Sequence, residues 1–66
     1  MGTNLKMAQA LLELGATARF IRNSRVCIDL DSQENFPEVE KILKAHKWCI
    51  VFSHVNSDGS MGIRAI

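Results

Sequence analysis

His54, preceded by Ser53 and followed by Asn56, Ser57, Asp58 and Ser60, is the densest gathering of groups in the chain able to act as a general base, a nucleophile or an orienting acceptor. Such a set invites a catalytic reading. The same stretch, with Gly59, also supplies the Asn, Ser, Asp and Gly that a hairpin turn requires. Neither a glycine-rich phosphate loop, nor a paired-carboxylate constellation, nor a metal motif accompanies it. A chain of 66 residues also has little room for an enclosed pocket of about 300 Å³ or more. The residues are therefore read as a turn following a strand, and no catalytic residue is assigned.

A second concentration is basic. Arg19, Arg22 and Arg25 fall within one expected hairpin, and Arg64 joins them if its strand presents it to the same side, beside apolar Ile21 and Val51. These six residues are the candidate partner-binding set. Guanidinium groups at that density suit phosphate or carboxylate recognition, while arginines on edge strands also discourage edge-to-edge aggregation. Against nucleic acid stand a formal net charge of only +1 and the absence of tyrosine. Alternation assigns Phe20, Phe36, Phe52 and Trp48 mostly to the core, so no surface aromatic is expected for stacking bases.

The two cysteines, Cys27 and Cys49, lie in separate apolar runs without the Cys-x-x-Cys spacing of a zinc or redox motif. They read as buried free thiols in a reducing compartment. Adding His46 and His54 makes no ligand set, because no two of the four share a helical turn or a tight loop. No metal or cofactor is expected.

The elements that must carry these residues follow from periodicity. Apolar Leu5, Ala8, Leu11, Leu12 and Ala16 recur at helical spacing, so a helix is expected over 4–14, capped by Thr3 or Asn4 and ended by Gly15. A hairpin is expected over 17–30, its strands joined by Asn23 and Ser24. It places Ala18, Phe20, Val26, Ile28 and Leu30 on one face and Arg19, Ile21, Cys27 and Asp29 on the other. Asn35 and Glu38 in capping-box relation, with Pro37 in the first turn, open a helix expected over 36–46, whose stripe is Phe36, Val39, Ile42 and Leu43. Glu40 and Lys44 can pair along it. A second hairpin over 48–66 begins with the strand Trp48 to Val55. Sliding the sequence against itself by about 31 residues superposes the two helix stripes, which raises an internal duplication of a helix-and-hairpin unit.

The expected fold is thus α+β, a two-layer sandwich of order αββαββ, with four mainly antiparallel strands and two helices on one face. That order is a ferredoxin-like sandwich with its first strand moved to the C-terminus. The composition, 47% hydrophobic and 23% charged, argues against disorder and suits a single domain. With no apolar run of membrane-spanning length and no leader pattern, a cytoplasmic protein is expected.

The segment Val39 to Ile66, a helix followed by a strand bearing Ser53 and His54 and then a turn and a strand, resembles the small RNA-cleaving toxins of the HicA type. It departs from their Gly-Ser-His signature, since Phe52 precedes Ser53. The resemblance implies an RNA-cleaving role for His54. Three functions follow in order: a protein-interaction module, adaptor, inhibitor or homodimer acting through an open sheet face or edge strand; nucleic-acid binding through the arginine patch; and RNA cleavage using His54.

Overall fold

The computed structural model describes residues 2–22 and 24–66, and of Gly2 and Thr3 the backbone alone. Helix α1 spans Gly2–Leu12, strands β1 and β2 span Ala16–Ile21 and Arg25–Leu30, helix α2 spans Phe36–Ala45, and strands β3 and β4 span Ile50–Val55 and Met61–Ala65. A short 3₁₀ turn, Gln33–Asn35, precedes α2. All pairings are antiparallel and the sheet order is β1-β2-β4-β3, leaving β1 and β3 at the edges.

Helix α1 starts and ends two residues earlier than expected, so Asn4 lies inside it instead of capping it, while the Thr3 side chain lies outside the described residues. The apolar stripe also turns. Met7 and Leu11 are fully buried, whereas Leu5 and Leu12 are exposed. Two overlapping stripes are available in this sequence, and the helix turns inward the one running from Asn4 through Met7, Ala8 and Leu11 to Leu14, positions at three- and four-residue spacing.

The α2 terminus also differs from expectation. Asn35 makes no side-chain cap bond; its Nδ2 donates to the carbonyl of Leu14 at 2.8 Å and ties the end of α1 to the start of α2. Ser32 caps the preceding 3₁₀ turn, its hydroxyl accepting from the Glu34 amide at 3.2 Å. At the other end the helix stops at Ala45. Lys47 adopts φ 64°, the Trp48 amide donates to Leu43 at 2.9 Å and the Lys47 amide to Lys44 at 3.0 Å, which is the Schellman pattern. That reversal consumes Trp48; Cys49 already exchanges both backbone hydrogen bonds with Ile66, at 2.8 and 2.9 Å, and β3 itself spans from Ile50. Glu40 and Lys44 pair at 3.8 Å along the exposed face.

In the first hairpin Ile21 pairs with Arg25, so positions 22–24 form a three-residue connection in place of the expected two-residue turn. Arg22, at φ 59°, belongs to it and not to β1. Asn23 lies outside the described residues.

The core is one cluster. Met7 and Leu11 from α1 and Val39 and Leu43 from α2 pack on Ala16, Val26, Ile28, Leu30, Met61, Ile63 and Ala65 of the sheet. Register explains the sheet's share, because Val26 faces Ala65, Ile28 faces Ile63 and Leu30 faces Met61 across the central pair. Trp48 packs half-buried against Phe20, ring centroids 6.0 Å apart. Among the described residues the opposite face of the sheet carries no covering layer. Among the described residues no helix is long and apolar enough to cross a membrane.

Candidate binding face

The uncovered face is built by the alternate residues of all four strands. Across the sheet, register aligns Thr17 with Asp29, Gly62 and His54 in one row. The next row holds Arg19, Cys27, Arg64 and Phe52, and Ile21 pairs with Arg25 beyond it. Alternation read from sequence holds in the first hairpin and puts Arg19, Ile21, Cys27 and Asp29 together.

It fails in β3. The pairing with β4 skips between Ile50 and Phe52, a β-bulge with Val51 as the additional residue. Ile50 faces the helices; without the bulge Phe52 would do the same. With it, Phe52 stands opposite Arg64 on the open face and is 52% exposed. The expectation that Phe52 belongs to the core is thereby corrected, and with it the absence of a surface aromatic. The run IVFSHV carries no glycine or other local mark of a bulge, so the sequence offers no signal for it.

Around Phe52 the contacts are specific. The Arg64 guanidinium carbon lies 5.9 Å from the ring centroid, within cation–π range. The His54 ring centroid is 5.7 Å away at an interplanar angle of 40°. His54 can lie there because its neighbour across the strand is Gly62: a Cβ at that position would sit 2.5 Å from the imidazole Cε1. The glycine thus makes room for a ring laid across the backbone, the use expected of glycine in a strand interior.

The turn beyond His54 is held by bonds among its own residues. Asp58 accepts from the Ser60 hydroxyl at 2.6 Å and the Ser60 amide at 3.0 Å, and the Asn56 side-chain amide donates to the same hydroxyl at 2.9 Å. This turn is satisfied within itself, and among the described residues no hydrogen bond joins it to His54. Those two bonds from Ser60, the hydroxyl first and then the amide, hold the Asp58 carboxyl below its ordinary pKa. Cys27 is a half-buried free thiol on the open face and Cys49 an exposed one, which corrects the expectation that both are buried: one lies on the uncovered face, the other before β3. Among the described residues no three His, Cys, Asp or Glu side chains converge.

No family model, curated protein or solved structure matches the chain.

Charge is segregated by layer. All four arginines of the sequence, Arg19, Arg22, Arg25 and Arg64, stand on or at the end of the open face, and the four lysines lie on the helices or at their ends. Of the acidic residues Asp29 stands on the open face, and Asp31 follows it beside Gly15 just beyond the end of β2. Among the described residues none of the arginines forms a salt bridge. An open depression of about 550 Å³ at one end is lined by Ile21, Arg25, Cys27, Val51, Arg64 and Ile66. Of the six sequence-derived candidates, Ile21, Arg25, Val51 and Arg64 line it, Arg19 stands on the same face opposite Cys27, and Arg22 lies in the loop.

Proposed function

We propose that the protein is a non-catalytic binding module whose open sheet face takes single-stranded nucleic acid. The observation that carries this reading is Phe52, exposed on the same face as Arg19, Arg25 and Arg64 and flanked by the His54 ring. Single strands are held by aromatic rings on which bases stack and by cations that track the phosphates. The ring and the cations lie in adjacent strands, β3, β4, β2 and β1, so a strand laid across the sheet meets them in turn. The αββαββ path supports a permuted ferredoxin-like description, since the order β1-β2-β4-β3 is the one that permutation generates, and a duplicated helix-and-hairpin unit is proposed with it. Its two free thiols fit a reducing, cytoplasmic setting.

The test is fluorescence-anisotropy titration with single-stranded RNA and DNA and with duplex controls. Three phosphate contacts imply a single-strand affinity that falls about 20-fold between 50 and 200 mM salt. Phe52→Ala should weaken binding about 5- to 160-fold with an unchanged circular dichroism spectrum, because stacking contributes about 1–3 kcal/mol per base. Absence of binding at low salt would refute the reading.

A second reading, a protein-docking module, is favoured by the depression at Ile21, Val51 and Ile66 beside Arg25. Apolar side chains rimmed by arginine are the composition of protein-interface cores. It predicts binding that is insensitive to Phe52→Ala and lost with Ile21→Asp.

A further inference from the structure

The two edges of the sheet are unlike. Edge strand β1 contains Arg19 and is followed by Arg22 and Arg25, the charged protection by which proteins keep exposed edges from pairing. Edge strand β3, Ile50–Val55, has neither charge nor proline. From Val51 onward every residue is exposed, including those on the helix side, where Val55 is 50% exposed because no helix covers that margin. Beyond the bulge at Val51, residues 52–55 pair in regular register with β4. The hydrogen-bonding groups on the far side of those residues face outward.

We propose that β3 pairs antiparallel with β3 of a second copy of this chain, about a two-fold axis through Ser53. Directly opposed residues must share a face, so Phe52 stands opposite the partner's His54 and Ser53 opposite its counterpart. The axis is perpendicular to the sheet, which joins two four-stranded sheets into one of eight strands with both open faces on the same side.

Charge selects this partner over the alternatives. A β1-to-β1 dimer would bring the two Arg19 side chains within a strand spacing or two, where like charges repel. In the β3 pairing the nearest arginines are the two Arg64 residues, three strand spacings or about 14 Å apart, beyond the Debye length at physiological salt. A β3-to-β1 contact is heterologous and would propagate as a filament, whereas the β3 pairing closes on itself. The inference stands on the edge geometry and does not depend on what the open face binds.

The test is sedimentation equilibrium from low to high micromolar protein. The wild-type mass should double with concentration, and Val55→Lys, a change on the helix side away from the open face, should remain monomeric with an unchanged circular dichroism spectrum. In a Cys27→Ser, Cys49→Ser background, Ser53→Cys should form a disulfide dimer under mild oxidation much faster than Thr17→Cys on β1, because directly opposed residues lie within bridging distance. A wild-type mass that stays monomeric throughout, a Val55→Lys variant that dimerises equally, or equal cross-linking at both edges would overturn the proposal. Nucleic-acid titrations of Val55→Lys keep the two proposals apart, since a monomer that still binds leaves the face reading intact.

Discussion

Lys47 is a non-glycine residue held at φ 64°, one position past the C-cap of α2, where the chain must turn back to begin β3. A side chain in that region costs about 1–2 kcal/mol, and Lys47 is exposed, so nothing is lost in contacts by removing it. Lys47→Gly should therefore stabilise the fold by about 1 kcal/mol and raise the midpoint of thermal unfolding by about 4–8 °C. Asp58 couples the second hairpin to pH. Its native pKa is lowered by bonds from Ser60, so its contribution is complete above the ordinary carboxylate pKa and is lost as pH falls through the lowered value. Acid titration by NMR should show the Ser60 amide resonance moving with Asp58 ionisation, and Asp58→Asn, which keeps an acceptor, should abolish that movement.

Strand β4 is the element whose integrity the fold can least spare. It is central, and Met61, Ile63 and Ala65 all enter the core. Ending the chain after Gly62 removes two buried side chains and the pairing of β2 with β3 through them, and the whole stability of a domain this size is only about 3–10 kcal/mol. The truncated chain should show no cooperative melt by circular dichroism. The helices and strands of the fold were legible because hydrophobic period is written in the order of residues: Val39 and Leu43 on α2, and Val26, Ile28 and Leu30 on β2, are where alternation puts them. Helix ends were less so. Asn35 looks like a cap, and only the proximity of Leu14, 21 residues away, gives its amide a better acceptor. The bulge was not legible at all, and the most informative residue of the face, Phe52, was assigned to the wrong side for that reason. Strict alternation in β1 and β2 is what puts Arg19, Ile21 and Cys27 on one face, while His54 stands out in the sequence for its chemistry and matters here for its ring.

At the scale of the molecule, two layers leave one face of the sheet unburied among the described residues. A wider sheet formed from two copies, as proposed above, would offer two rings and twice the arginines to one ligand. The uneven placing of charge has a further effect. Although the formal net charge is +1, the sheet side is cationic and the rest is anionic on balance, so the molecule carries an electric moment directed through its thickness. Near a polyanion it is turned before it is touched, over a range of about 8 Å at physiological ionic strength and farther in dilute salt. Rotation and approach are then coupled, and most first collisions with such a target are made sheet foremost.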